Sequence, residues 1–200
     1  MNCYFSVFEV NKREYRIDWL AKKSEYISKI KSTTNDEDFF NALQSILSEL
    51  NNYHVSMLDK NFYLYAKNVF EENSKLYGPW LKQFNNPKAI ARYSNMSETE
   101  NNLKPSSEAF AVFAKSTGFA TLVGERTSGD GIGSDPAFCV LPNSGYIFNF
   151  SEQMGLTADG TCNFEYKTEP DIIASAKMDS NISNDELVQY VLKLVEQSEI

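Results

Sequence analysis

Among the 200 residues, Ser106-Ser107-Glu108 is the triplet best suited to covalent chemistry. The pattern after it reads as a helix, with Phe110, Phe113 and Ala114 as apolar positions and Gly118 as the closing residue. A serine at a helix start sits among unpaired backbone N–H groups at the positive end of the helix dipole. Those amides suit a developing oxyanion, which acyl transfer requires. The same serine also serves as a plain N-cap, and that reading stands beside the catalytic one. His54 is the sole histidine. It is therefore the only residue able to act as an imidazole base toward a serine, with a structural or surface role as the plainer alternative. Glu165, Glu169 and Asp171 supply carboxylates nearer the end of the chain, either to orient such a base or as a solvated turn around Pro170.

The stretch from Glu125 to Pro136 carries Gly129, Gly131 and Gly133. It is not a phosphate loop, because it lacks the Gly-Lys-Ser/Thr ending and no helical pattern follows it. It reads as a tight connection between strands or as a ligand-contacting loop.

The elements that must position these residues are legible in outline. Trp19, Leu20, Ile27 and Ile30 form a loose helical stripe. Thr34 and Glu37 have the spacing of a capping box before a helix with Phe39, Phe40, Leu43, Ile46, Leu47 and Leu50, ending near Asn51–Asn52. Tyr53 to Leu58 reads as a strand or a turn. An aromatic-rich run from Phe62 to Trp80 is broken at Gly78–Pro79. Residues 85–105 are polar, hold Pro87 and Pro105, and read as a linker or boundary. Beyond them, Phe119–Val123, Phe138–Leu141 and Tyr146–Phe150 are expected as strands of one sheet, the last two joined by Pro142–Gly145. The helix over 107–117 should pack on that sheet. Ser183 and Glu186 suggest a second capping box, opening a helix with Leu187, Val188, Val191, Leu192 and Val195 on one face.

Bulk properties narrow the function classes. A chain that is 42% hydrophobic and 14% aromatic can bury a core. Its net charge of −8 argues against non-specific nucleic-acid binding, which needs a basic face. The three cysteines, Cys3, Cys139 and Cys162, are far apart, form no CxxC and are expected reduced. Neither a metal-ligand cluster nor an apolar run near the ~18 residues of a membrane span is visible. Met1–Val10 does not read as a signal peptide.

Taken in order, Ser-Ser-Glu-Ala-Phe-Ala (106–111), Leu-Val-Gly-Glu-Arg-Thr (122–127), Leu-Pro-Asn-Ser-Gly (141–145), Ala-Asp-Gly-Thr (158–161) and Glu-Pro-Asp (169–171) resemble the C-terminal part of the tail-specific, or C-terminal-processing, serine peptidases. The likeness is to a bacterial branch with tricorn-core-like catalytic residues. Leu50-Asn51-Asn52-Tyr53-His54 is a softer match, resembling the element that closes the family's helical cap and supplies its histidine.

The resemblance implies a role for each candidate. Ser106 is the nucleophile, His54 its base, and Glu165 the orienting acid. Ser107 and the loop glycines Gly129 and Gly131 belong to the oxyanion and substrate-binding surface. It also implies peptide or protein substrates and neither cofactor nor metal. Three departures point to a weak or inactive enzyme. The family places its serine three residues before the helix glutamate, which here is Pro105, one position before Ser106. Asp130 stands where the Ser–Lys branch has lysine, and Phe164 aligns with the late glutamate. The strands and the Arg-Gly-Asn-x-Gly-Gly element that precede the family's nucleophile are replaced by residues 85–105, and no PDZ-like insert is visible.

The resulting expectation is an α/β (α+β) protein. It has a helical N-terminal region (1–84), a linker or deletion junction (85–105) and the C-terminal part of a peptidase domain (106–200) with central strands missing. Such a sheet should expose an edge and favour self-association. A non-catalytic peptide-binding or remnant domain is the competing reading. No address is visible, so the compartment is unknown: as written the chain reads as cytoplasmic, although members of the family are often exported.

Overall fold

A computed structural model describes residues 8–52, 54–97, 108–129, 136–176, 179 and 181–197. In chain order come helices α1 (Phe8–Tyr15), α2 (Lys23–Lys31) and α3 (Asp36–Ser48), then strand β1 (Ser56–Met57). Helices α4 (Lys60–Glu72), α5 (Ser74–Phe84), α6 (Pro87–Ser94) and α7 (Glu108–Thr117) follow. Strands β2 (Val123–Gly124), β3 (Ala137–Val140) and β4 (Ile147–Phe150) precede helix α8 (Asn163–Tyr166). Strand β5 (Ile172–Ile173) and helix α9 (Glu186–Gln197) complete the order. Helix and sheet are mixed, in keeping with the expected class. The chain forms two compact units, one of residues 1–105 with 133–154 and one of 106–132 with 155–200. The segment expected as a single C-terminal part, 106–200, is thus divided between them.

In the first unit, α3 forms as its periodicity predicts and buries Ala42, Ile46 and Leu47. Its cap is Asn35 rather than Thr34. The Asn35 side chain accepts the Asp38 N–H at 2.8 Å and donates to the Asp38 carboxylate at 2.8 Å, so the reciprocal box runs Asn35–Asp38 instead of Thr34–Glu37. Helix α4 is capped by Asp59, which accepts the Phe62 N–H at 2.7 Å. Pro79 withholds an N–H and crowds the turn before it, where Tyr77 leaves helical geometry.

The polar stretch read as a linker contains α6 at 87–94. Pro87 occupies its first turn and Asn86 caps it. Its apolar stripe is only Ala89 and Tyr93, one turn apart and both fully buried. That is too narrow to register as a periodic pattern.

Tyr93 stacks on Tyr63 at 4.1 Å between ring centroids, and Phe70, Phe84 and Phe138 pack edge to face beside them. The buried Tyr93 hydroxyl accepts the Ile147 N–H at 2.9 Å and donates to the Leu58 carbonyl at 3.2 Å. Burial pushes its pKa well above the usual phenol range. The sheet here is antiparallel with order β1-β4-β3, pairing Ser56 with Asn149 and Val140 with Ile147. The expected hairpin is present. The segment read as strand or turn is both, a turn at His54 and a strand at Ser56–Met57; Tyr53 lies outside the described residues.

In the second unit, α7 closes at Gly118, whose φ of +65° is the left-handed conformation of a helix C′ residue. Its buried residues are Val112 and Ala114, while Phe110 and Phe113 are exposed. Phe113 turns instead onto Phe119, with ring centroids 5.6 Å apart.

The strand expected at Phe119–Val123 is corrected to Val123–Gly124, and it does not join the hairpin. It pairs in parallel with β5 as a separate two-stranded sheet. Asp171 fastens the start of this ladder. Its carboxylate accepts the Leu122 N–H at 2.8 Å, and the Asp171 and Ile172 N–H groups both donate to the Leu122 carbonyl. The Ile172 bond is the first rung of the parallel ladder, and the Asp171 carboxylate holds the Leu122 N–H beside it. The Lys115 ammonium also pairs with Asp171, tying α7 to the same point.

Helix α9 is capped by Asp185, not Ser183. The Asp185 carboxylate accepts the Leu187 and Val188 N–H groups at 3.0 Å. Leu192 and Val195, expected on its apolar face, are exposed. Cys162 is buried and Cys139 partly buried, and neither is in a disulfide; Cys3 lies outside the described residues. No helix of the described residues is long and apolar enough to cross a membrane.

Candidate functional site around Glu108

Glu108 is the first residue of α7, and its carboxylate gathers the second unit. One oxygen accepts hydrogen bonds from the Thr127 hydroxyl at 2.8 Å, the Asn163 amide at 3.0 Å and the Thr168 hydroxyl at 2.8 Å. The other accepts the Gly129 N–H at 3.3 Å. Asn163 and Thr168 also bond each other, at 3.1 Å. With these donors on its lone pairs, the carboxylate ties α7 to the segments that carry them.

The donors come from two segments that run side by side. The Thr127 N–H donates to the Thr168 carbonyl at 3.0 Å, and the Thr168 N–H donates to the Thr127 hydroxyl at 2.9 Å. Arg126 adds a bond to the Tyr166 carbonyl and an ion pair with Glu169, both at 3.0 Å. The start of the glycine-rich loop is thus fastened to the residues around α8 and to the start of α7.

Two backbone conformations record how tight this packing is. Gly129 is buried with φ +69°. A methyl group there would lie 2.5 Å from Lys167 Cγ and 2.6 Å from the Asn163 carbonyl oxygen. Lys167 itself has φ +61° and ψ −170°, a region that non-glycine residues rarely enter and that costs about 1–3 kcal/mol. Such strain persists only where neighbours over-determine the backbone. Here the Lys167 N–H is held by the Asn163 carbonyl at 2.7 Å.

Ala-Asp-Gly-Thr at 158–161 forms a tight turn beside α8. The Asp159 carboxylate accepts from the hydroxyls of Thr157 and Thr161 and from the Thr161 N–H. The Thr157 hydroxyl first, then the Thr161 N–H and hydroxyl, pull its pKa down to about 2. The folded pKa lies below the unfolded one, so the stabilisation is complete above the ordinary carboxylate range. It is lost as pH falls from there toward about 2. Thermal unfolding followed between pH 5 and pH 2 should therefore show a shallower acid decline for Asp159→Asn than for the native chain.

The sequence-derived candidates are distributed as follows. Ser106, Ser107 and Gly131 lie outside the described residues, as do Pro105 and Asp130. His54 belongs to the first unit, half-buried in the turn after α3. Its N–H donates to the Asn52 side chain at 2.8 Å, and its carbonyl accepts from the Asn149 amide at 2.8 Å. Glu165 lies half-buried on α8 of the second unit, next to Phe164, which is buried. Gly129 is brought against Glu108. Sequence reasoning missed Thr127, Asn163 and Thr168, small polar residues with no periodicity to mark them. Only Thr127 stood inside a recognised motif. Among the described residues no group of His, Cys, Asp and Glu is placed to hold a metal.

Residues 99–174, less than half of the chain, match the family model described as Peptidase family S41. The match spans α7, the Glu108 cluster and β5, and it supports a serine-peptidase-family protein. A comparison with curated proteins finds no match.

Proposed function

We propose that this is a tail-specific serine-peptidase-family protein of the tricorn-core-like type, acting on peptides or protein tails, and that it is a weak or inactive peptidase. The observation that carries the reading is the match over 99–174 together with the Glu108 anchor at the head of α7. In an active chain, Ser106 attacks the peptide carbonyl, His54 takes its proton and Glu165 orients the histidine or the substrate. Backbone amides near Ser107 and the loop glycine Gly131 then receive the oxyanion, while Gly129, whose N–H donates to Glu108, shapes the substrate-binding surface beside them.

The arguments for weak activity are geometric. A one-residue shift at a helix start turns a side chain by ~100° and moves it ~1.5 Å along the axis. Misplacement by about 1 Å can cost ~10²-fold in rate. Pro105 at the family's serine position and Phe164 at the late acid position each remove a group the chemistry uses, and Asp130 at the lysine position rules out the Ser–Lys dyad. The buried position of Phe164 favours the second reading, a non-catalytic peptide-binding domain of the same family. Residues 85–105 then mark an internal shortening, and the two-stranded β2–β5 sheet supplies an edge for self-association.

The test is labelling with a fluorophosphonate probe. The expected result is sub-stoichiometric labelling that Ser106→Ala leaves unchanged. Stoichiometric labelling abolished by Ser106→Ala would restore an active enzyme with Ser106 as its nucleophile.

A further inference from the structure

The first unit contains an apolar cavity of about 380 Å³ between α2, α3 and the sheet. Tyr26, Leu43, Ile46, Leu47, Met57 and Phe148 line its walls. Trp19 forms another wall, held in place by its indole N–H on the Ile46 carbonyl at 2.9 Å. Leu20 and Ile27 also line it, and they remain 38% and 42% exposed, so the apolar surface continues to solvent. Lys23 is the one charged side chain in the lining. The neighbouring lysines are engaged: Lys22 pairs with Glu49 at 2.6 Å and Lys29 donates to Ser45 at 2.7 Å. Lys23 has no carboxylate within ion-pair distance among the described residues. Helix α2 is locally basic, with Lys23, Lys29 and Lys31 against Glu25, in a chain of net charge −8.

We propose that this cavity binds a small amphipathic molecule with one apolar chain and an anionic head group, the chain inside and the head at Lys23. The volume lies in the range of ligand pockets, about 300–1,000 Å³. A peptide suits it poorly, because backbone amides buried against these side chains would lack partners. A hydrocarbon chain has no such need, and a carboxylate or sulfate head would find the Lys23 ammonium at the rim. This site is independent of the peptidase reading and lies wholly within the first unit.

The test uses decanoate and decylammonium below their micelle concentrations. Trp80→Phe leaves Trp19 as the only indole reporter. Decanoate should change Trp19 fluorescence saturably with one-to-one stoichiometry, and bind about fivefold more tightly than decylammonium, the scale of one exposed ion pair. Lys23 is exposed, so Lys23→Glu should keep the native melting profile and reverse that order. The proposal is overturned if neither probe gives a saturable change. Equal affinities, or a preference that Lys23→Glu leaves in place, overturn it too.

Discussion

Replacing Glu108 with alanine should destabilise the chain by about 3 kcal/mol and loosen the segments around residues 127–129 and 163–168. The carboxylate satisfies the Asn163 amide, which is fully buried, the Thr168 hydroxyl, which is nearly so, and the buried Gly129 N–H. Leaving a buried donor without an acceptor costs about 1–3 kcal/mol. Water admitted into the space of the lost side chain recovers part of that sum. Glu108→Gln should fall between native and alanine, near 1–2 kcal/mol, because an amide supplies one acceptor oxygen but turns an NH₂ toward the Gly129 N–H. Urea unfolding gives the energies, and amide hydrogen exchange locates the loosening. If Glu108→Ala unfolds at the native urea concentration, the cluster is not what fixes the head of α7.

Gly129→Ala should be of similar size, about 3 kcal/mol, through a different mechanism. A left-handed φ costs an L-residue roughly 1–2 kcal/mol, and forcing a methyl into filled space adds about 1–3 kcal/mol. Both apply at Gly129, because the nearest atoms include the Asn163 carbonyl oxygen, part of a backbone that cannot swing away. Gly118→Ala is the internal control. Its φ of +65° is nearly the same, yet nothing lies within 4 Å of the added methyl. It should lose only the conformational part, roughly 1–2 kcal/mol. Thermal or urea unfolding of the two variants side by side separates strain from clash. Equal losses would mean that the packing against Lys167 and Asn163 relaxes freely.

Much of the helical framework was written locally in the sequence. Periodicity marked α3 and α9, Pro79 marked the break in α5, and Pro142–Gly145 marked the hairpin between β3 and β4. These follow from rules of neighbouring residues, and tertiary contacts had little to override. Cap positions were less legible, because Thr34, Asn35 and Asp38, or Ser183 and Asp185, compete for the same amides, and the winner depends on the chain's direction of approach. The order of motifs over 106–171 pointed to the peptidase family, in accord with the match over 99–174.

Only the tertiary structure decided how strands were shared. Val123–Gly124 pairs with β5, and Asp171, far from Leu122 in sequence, fastens the start of that ladder through both polar groups of Leu122. Tyr93 became a core residue because two rings and two backbone groups from other elements converge on it. Glu108, Thr127, Asn163 and Thr168 form one site for the same reason. Each is an ordinary polar residue in its own segment, and only burial, which makes an unpaired donor costly, turns the four into a unit.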